Sequence, residues 1–381
     1  MAKKTYLDYA AATPLDKEVF LAMKPFFAGR FHNPSATYLA GRAAKASLNG
    51  AREKVATTIG AKPGEIIFTS GATEANNLAI RGIMQDLPDG EMLVSSIEHE
   101  SVQAPTKLFK HKLIPVNREG VIDLNFVSKN ITEKTALISV MLVNNEIGSV
   151  QPLAELAKVV KETRTQRLKK GIKIPIYLHT DAAQAGGVLD LHVARLGVDL
   201  MTINGGKIYG PKQSGLLFVK AGIKLKPLIL GGGQEFGLRS GTENVANFVG
   251  LAKALEIAQA NRRKNSGRLA NLRVDLAQRL TQAIPSATIN GSSKNQAPHI
   301  LSVTFAGIDN ERLMMQLDQA GFEVAVGSAC SASSDLPSHV LSAIGLSARE
   351  ARSTIRISFG KTTKIKDLKK FMSVLHGLLL T

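Results

Sequence analysis

A lysine flanked by glycines is the first feature of this sequence that could do covalent chemistry. Lys207 follows Gly205 and Gly206, and Gly210 stands three residues after it. Glycines let a bulky planar group come close to the backbone. A lysine amine that is partly removed from water can have a lowered pKa and attack a carbonyl carbon. The segment predicts a Schiff-base lysine, whereas the simpler alternative in a chain with 48 Lys and Arg residues is a solvated loop lysine.

Polar residues follow three other apolar runs, each at the point where a predicted strand ends. Asp181 can pair with a protonated pyridine nitrogen, which keeps such a ring an electron sink. The Asn145 amide can hydrogen-bond a phenolic oxygen, and His99 stands at a third strand end. Together with Lys207 they indicate pyridoxal phosphate (PLP). The alternatives are a helix cap for Asp181, an Asn-rich turn for Asn145 and a structural histidine.

An anion site is predicted where a strand over residues 66–69 gives way to a helix over residues 74–83. A helix start offers free backbone N–H groups and the positive end of the helix dipole. Gly71 and Ala72 keep the approach open, and Thr73 adds a hydroxyl donor. The alternative is an ordinary helix N-terminus capped by Thr73 or Ser70.

Cys330 is the only cysteine, so no intramolecular disulfide can form, and a reducing cytosol is expected. Its neighbours are small and polar, which predicts an accessible loop. An accessible thiol becomes a nucleophile if its pKa is lowered, although most lone cysteines are buried and inert. Arg356 alternates along a predicted strand and could fork onto a substrate carboxylate, with a surface salt bridge as the alternative.

Apolar runs of strand length alternate with amphipathic stretches, which predicts βαβ units and a largely parallel sheet with ligands at its carboxyl edge. The predicted strands are residues 66–69, 92–95, 113–116, 136–143, 175–179, 199–203 and 215–219. Predicted helices cover residues 74–83, 153–165, 183–189 and 244–280. Beyond residue 285, shorter strands at 299–305, 322–326 and 353–359 indicate a smaller α+β domain.

The 381 residues predict one large domain plus a smaller one. We expect a large α/β domain over residues 16–260 and a small one built from residues 1–15 and 261–381. No apolar run approaches the ~18 residues of a membrane span, and the first residues lack the apolar core of a signal peptide. A cytoplasmic protein without membrane contact is therefore expected.

The chain is strongly basic, with a formal net charge of +17 and dense patches at residues 161–170 and 261–268. A basic protein can bind nucleic acid or acidic partners. No nucleic-acid-binding motif accompanies the charge, so no nucleic-acid partner is expected. Solvated helix faces are the first interpretation and an acidic protein partner is the second. No metal site is expected.

Taken together, these motifs resemble the NifS/IscS-type cysteine desulfurases, PLP enzymes of the class V aminotransferase group. The resemblance runs through nearly the whole chain in the family's order, at residues 6–14, 33–35, 70–77, 98–99, 144–148, 181–184, 207–212, 239–243 and 327–330. It implies the PLP-dependent transferase fold of type I, and a homodimer. It also implies conversion of L-cysteine to L-alanine, with sulfur passing to Cys330 as a persulfide for an acceptor such as an iron–sulfur scaffold protein.

The resemblance also implies a role for each matching residue. Lys207 would hold PLP and move the Cα proton, and His99 would stack on the ring. The other cofactor contacts would be Asp181 at the pyridine nitrogen, Asn145 and Gln184 at the phenolic oxygen, Ala72, Thr73 and Asn204 at the phosphate, and Thr242 from the second subunit. Asn33 and Arg356 would hold the substrate carboxylate, and the Cys330 thiolate would attack the substrate sulfur.

Four positions depart from the family pattern. Gly206 stands where a histidine is usual, and Asn204 where a serine is usual. Gln213 replaces a glycine, and Tyr38 replaces a histidine. These changes concern phosphate binding rather than the reaction class. Selenocysteine lyase activity, or another PLP reaction on the same fold, is the second enzyme hypothesis. A catalytically weak scaffold or basic binding protein is the hypothesis from another class.

Overall fold

The computed structural model describes residues 4–327 and 337–380. The strands in this part of the chain are β1 (Thr5–Tyr6), β2 (Ile66–Thr69), β3 (Glu91–Ser95), β4 (His111–Ile114), β5 (Thr135–Ser139), β6 (Tyr177–Asp181), β7 (Leu200–Asn204), β8 (Gly215–Val219), β9 (Ala287–Asn290), β10 (Ile300–Phe305), β11 (Phe322–Glu323) and β12 (Thr354–Ser358). The α-helices are α1 (Lys17–Met23), α2 (Leu39–Ile59), α3 (Ala72–Met84), α4 (Glu100–Thr106), α5 (Leu124–Asn130), α6 (Leu153–Lys169), α7 (Val193–Leu196), α8 (Val245–Ala283), α9 (Asn310–Gln319), α10 (His339–Ala343), α11 (Ala348–Ala351) and α12 (Ile365–Leu380).

The largest sheet has seven strands in the order β2-β8-β7-β6-β5-β3-β4. Strand β8 runs antiparallel to both of its neighbours, and the other adjacent pairs are parallel. The predicted mostly parallel seven-stranded sheet is therefore confirmed, and each predicted strand overlaps an observed one. Because β5, β6 and β7 are parallel neighbours, the residues that follow them meet at one edge of the sheet.

The long helix α8 links two apolar clusters. Leu251 and Leu255 in its first half pack in the cluster that covers one face of the large sheet. Leu272 and Leu276 in its second half pack in a separate cluster with the strands near the C-terminus. We propose that these clusters are the cores of two domains, divided within α8 near residue 260. No helix in residues 4–327 or 337–380 is both long enough and apolar enough to cross a membrane.

The second cluster surrounds a three-stranded antiparallel sheet in the order β12-β10-β9. The N-terminal strand β1 pairs in parallel with β11, and Leu7 packs in the same cluster. The chain then crosses to the large sheet, where Asp16 caps α1. We propose that residues 1–15 belong with residues 261–381 in the smaller domain, and that residues 16–260 form the larger one.

One predicted helix is wrong. Residues 183–189 form successive turns, with Ala185 N–H bonded to Ala182 and Val188 N–H bonded to Ala185. The reason is the pair Gly186 and Gly187, since glycine is a poor helix former. The strand predicted over residues 322–326 is observed only at Phe322–Glu323, although Ala325 adds an isolated bridge to β12.

Candidate active site

A cavity of about 220 Å³ lies at the carboxyl edge of the large sheet. Nine residues predicted from the sequence line it: Ala72, Thr73, His99, Asn145, Asp181, Gln184, Asn204, Lys207 and Arg356. They come from the ends of several parallel strands, from the start of α3 and from β12 of the second sheet. The fold thus brings together residues that are far apart in the sequence.

Lys207 reaches the cavity from a single 3-10 turn directly after β7. Its Nζ donates hydrogen bonds to the carbonyl oxygens of Ala10 at 2.8 Å and Ala11 at 2.6 Å. Of the described lysines, Lys207 alone lines this cavity. Lys212, the nearest rival in the sequence, instead donates to the Thr13 carbonyl. The solvated loop alternative for Lys207 is therefore wrong, because the amine is bonded to the wall of a cavity.

The Asp181 carboxylate is fixed at the end of β6 by two donors. Its Oδ1 accepts from the Ala183 N–H at 2.8 Å, and its Oδ2 accepts from Asn76 Nδ2 at 2.7 Å. The side chain lines the cavity yet the residue is only 4% exposed. A buried carboxylate held this way is suited to pair with a cationic ring nitrogen. Asn76 also donates to Ser101 Oγ. The sequence did not predict Asn76 as a site residue, although it lies in the matching segment 70–77.

The start of α3 is open toward the cavity. Gly71 is its N-cap with a φ of 152°, and no side chain caps the helix. The backbone N–H groups in the first turn are therefore left to bind an anion. Capping by Ser70 or Thr73, the alternative considered for this segment, is not observed. A side chain on Gly215 of β8 would come within 2.6 Å of the Gly71 backbone, which requires glycine there.

His99 lines the cavity at the N-cap of α4, where its Nδ1 accepts from the Ser101 N–H at 3.1 Å. This bond fixes the ring. The preceding residue, Glu98, is fully buried, and its Oε1 accepts from the Met141 N–H at 2.6 Å. Burial raises the pKa of Glu98 to about 8, so its carboxyl is mostly neutral at pH 7.

The Gln184 side chain is oriented by a buried histidine. Its Nε2 donates to the Ala10 carbonyl at 2.9 Å, and its Oε1 lies 3.3 Å from His299 Nε2. Burial, together with nearby Arg356, lowers the pKa of His299 to about 4. A neutral imidazole that donates from Nε2 to an amide oxygen fixes which end of that amide is the donor. His299 is a residue that sequence reasoning missed.

Arg356 projects from β12 into the same cavity and is 3% exposed. Its two terminal nitrogens donate to the Asn145 carbonyl at 2.9 Å and to Asp8 Oδ1 at 2.7 Å. A guanidinium held from two sides presents a fixed fork of N–H groups to a carboxylate. The surface salt bridge considered as an alternative is wrong, since the Arg356 side chain is buried and its partner Asp8 is half-buried.

Two of the predicted residues that the structure describes, Asn33 and Thr242, are not brought into the cavity of the single chain. Asn33 and Thr242 are exposed, and Asn33 Oδ1 accepts from the Ser35 N–H at 2.8 Å. Neither residue is among those that line the cavity. Cys330 lies outside the described residues.

The chemistry of this donor set fits PLP. The open start of α3 suits the phosphate, the Asp181 carboxylate suits the pyridine nitrogen, and the Lys207 amine suits the aldehyde carbon. The Arg356 guanidinium, which also lines the cavity, suits the carboxylate of an amino acid. Residues 231–237 are rich in glycine, as the turn of a dinucleotide-binding site is. Such a turn lies between a strand and a helix, and residues 231–237 do not form this unit.

The chain matches the family model described as aminotransferase class-V over residues 5–371. It is 42% identical to the cysteine desulfurase IscS of Dictyoglomus turgidum, with 100% of this chain and 95% of that protein covered. A solved structure titled NifS-like protein superposes with a TM-score of 0.90 and 32% identity, covering 99% of each chain. A structure titled SspA in complex with cysteine has a TM-score of 0.79 and 37% identity, covering 94% of this chain and 99% of that one.

Proposed function

Since the chain belongs to the aminotransferase class-V family, we propose that it is a PLP-dependent cysteine desulfurase. The observation that carries the proposal is one cavity whose walls include the Lys207 amine, the Asp181 carboxylate, the open start of α3 and the Arg356 guanidinium. Relatives along the full length are named cysteine desulfurases, and a solved relative holds cysteine. L-cysteine is the substrate that we infer.

PLP, when bound, supplies an electron sink for the charge that develops at the Cα of an amino acid. We assign the Lys207 amine to cofactor attachment and to moving the Cα proton. Asp181 would hold a proton at the ring nitrogen, with Asn76 fixing the carboxylate. Arg356 would bind the substrate carboxylate and so orient the amino acid.

We assign the sulfur-accepting role to Cys330, the only thiol that the sequence offers. Its thiolate would attack the substrate sulfur, forming an S–S bond while the Cβ–S bond breaks. The electron pair of the broken bond remains with Cβ, which takes up a proton. The balance is one L-cysteine and one Cys330 thiol giving one L-alanine and one Cys330 persulfide. A free thiol needs a reducing compartment, so we propose the cytoplasm as the site of action.

We propose that two copies of the chain complete each site. Thr242 is exposed and does not line the cavity of its own chain, so a Thr242 that reaches the phosphate must come from a partner. Large apolar side chains are also exposed, including Phe31 at 69%, Leu230 at 81% and Phe236 at 62%. Exposed side chains of this kind are typical of surfaces that pack against another protein. For the persulfide, we propose a sulfur-acceptor protein such as an iron–sulfur scaffold.

The test is to incubate the protein with PLP and L-cysteine and to measure alanine and sulfide under mild reductant. We expect both products in equal amounts from the wild type and from the control Lys224→Ala, which changes an exposed lysine. Lys207→Ala should form neither product, and borohydride should trap no cofactor on it. Normal turnover by Lys207→Ala, or alanine without sulfide from the wild type, would contradict the proposal.

A further inference from the structure

Every polar group of Thr13 forms a hydrogen bond to residues 205–212, the Lys207 loop. It lies in the N-terminal segment that crosses between the two clusters, and it is 3% exposed. Its N–H and its hydroxyl both donate to the Gly206 carbonyl, at 3.1 and 3.0 Å. Its hydroxyl also accepts from the Tyr209 N–H at 2.8 Å, and its own carbonyl accepts from Lys212 Nζ. One buried residue thus holds the loop before and after Lys207.

The sequence of the loop does little to fix its own conformation. Gly205 and Gly206 directly precede Lys207, and glycine has the widest backbone freedom of any residue. Tyr209 has a φ of 64°, which is unfavourable for a residue with a side chain. The Tyr209 N–H is held in that conformation by the Thr13 hydroxyl. Loss of the Thr13 hydroxyl would leave the Tyr209 N–H without this acceptor and would favour other conformations of Tyr209.

We propose that Thr13 is a positioning residue that presents the Lys207 amine to the cofactor. This inference rests on the function proposed above, since it takes Lys207 as the point of PLP attachment. The Thr13 hydroxyl contacts the loop backbone on both sides of Lys207. It acts through that backbone, whereas the amine itself is held by Ala10 and Ala11 in the same N-terminal segment.

The hydroxyl can be removed with almost no change in shape by Thr13→Val, whereas Thr13→Ser keeps it and removes only a methyl group. The protein is stripped of PLP, PLP is added back, and the Lys207 adduct is trapped with borohydride and quantified by mass spectrometry over time. We expect Thr13→Val to attach PLP about tenfold more slowly, because it loses two hydrogen bonds to the loop. Thr13→Ser should attach it at close to the wild-type rate.

A second readout does not depend on the cofactor. In the stripped full-length protein, hydrogen exchange of the Tyr209 amide should be slow in the wild type and at least about tenfold faster in Thr13→Val. The control is Thr304→Val, which removes a buried hydroxyl bonded to Thr354 Oγ1 at 2.7 Å within the small-domain sheet. It should leave exchange in the loop and PLP attachment unchanged.

Equal attachment rates in Thr13→Val and wild type would overturn the proposal while leaving the proposed function intact. If Thr13→Val does not fold, the wild type alone still tests the proposal. Rapid hydrogen exchange of the Tyr209 amide in the stripped wild-type protein would also overturn the proposal. Failure of the proposed function has a different signature, since borohydride would then trap PLP on a lysine other than Lys207 in the wild type.

Discussion

Buried Arg356 and half-buried Asp8 form an ion pair between the two ends of the chain, with Arg356 Nη2 2.7 Å from Asp8 Oδ1. Asp8 follows strand β1, and Arg356 lies in β12 of the neighbouring sheet. The pairing leaves the guanidinium in the cavity wall at a fixed angle. The N-terminal segment therefore orients the residue that we assign to the substrate carboxylate.

We predict that Arg356→Lys raises the KM for L-cysteine by roughly ten- to hundredfold and changes kcat much less. Lysine keeps the charge but cannot bridge Asp8, the Asn145 carbonyl and a substrate carboxylate with one planar fork, and a lost charged hydrogen bond costs about 1.5–3 kcal/mol. Steady-state kinetics provide the measurement. Arg195→Lys, an exposed arginine paired with Asp190, is the control and should leave KM unchanged. An unchanged KM in Arg356→Lys would contradict the role of Arg356 in binding the substrate carboxylate.

Gly206 leaves room for a side chain beside the predicted phosphate site. A Cβ there would lie 3.4 Å from Asn204 Oδ1 and 3.7 Å from Lys212 Cδ, which are ordinary contacts. Asn204 Oδ1 accepts from the Gly206 N–H, so its amide nitrogen remains to donate. We predict that Gly206→His slows loss of PLP during dialysis against a competing amine, and that Asn204→Ala speeds it, by about tenfold each. Gly206→Ala, which adds no donor, is the control. If Asn204→Ala has no effect while Gly206→His weakens retention, the phosphate is held elsewhere.

Glu98 gives folding stability a pH dependence with a defined sign. An unfolded chain releases this proton near pH 4.5, whereas the folded protein keeps it until about pH 8. Unfolding between these values releases a proton, so stability falls as pH rises. His179 and His299 have pKa values lowered to about 4 by burial and act in the opposite direction, an effect that fades as pH rises past 6.5 and the unfolded histidines lose their protons.

A comparison of the wild type with Glu98→Gln cancels the contribution of the histidines and isolates that of Glu98. We predict that between pH 7 and 8 the free energy of unfolding of the wild type falls, relative to that of Glu98→Gln, by about 1 kcal/mol per pH unit. Denaturant titrations at several pH values measure it. Exposed Glu100→Gln is the control and should keep the wild-type slope. Parallel profiles for the wild type and Glu98→Gln would show that Glu98 titrates normally.

The proposed sharing of sites between two copies predicts rescue by mixing. A Lys207→Ala chain and a Thr242→Ala chain are each expected to be impaired as homodimers. Their heterodimer should regain one good site, made of Lys207 from one copy and Thr242 from the other. Activity is measured on heterodimers purified with two different tags. The absence of rescue in a verified heterodimer would indicate that each site is built within one chain.

Much of the fold could be predicted because strand and helix periods are local properties of the sequence. The seven strands and α8 follow from apolar runs and capping residues such as Asn244. The helix predicted at residues 183–189 failed because Gly186 and Gly187 outweigh the apolar pattern around them.

The site was predicted only in part. Asp181 ends β6 and Lys207 lies in the turn directly after β7, where a local pattern reveals them. Residues that act through others, such as Asp8 on Arg356 and Thr13 on Gly206, are found only in three dimensions. Their partners are far away in the sequence, and no periodic pattern links them.

The most direct test of the account is the fate of the substrate sulfur. The protein is treated with L-cysteine in the absence of reductant, and its peptides are analysed by mass spectrometry, in parallel with Cys330→Ser. We predict one added sulfur atom on Cys330 of the wild type, formed together with alanine. Cys330→Ser should still bind PLP on Lys207 but release neither sulfide nor alanine. Full sulfide production by Cys330→Ser under mild reductant, or wild-type turnover with no sulfur on Cys330, would contradict the proposed mechanism.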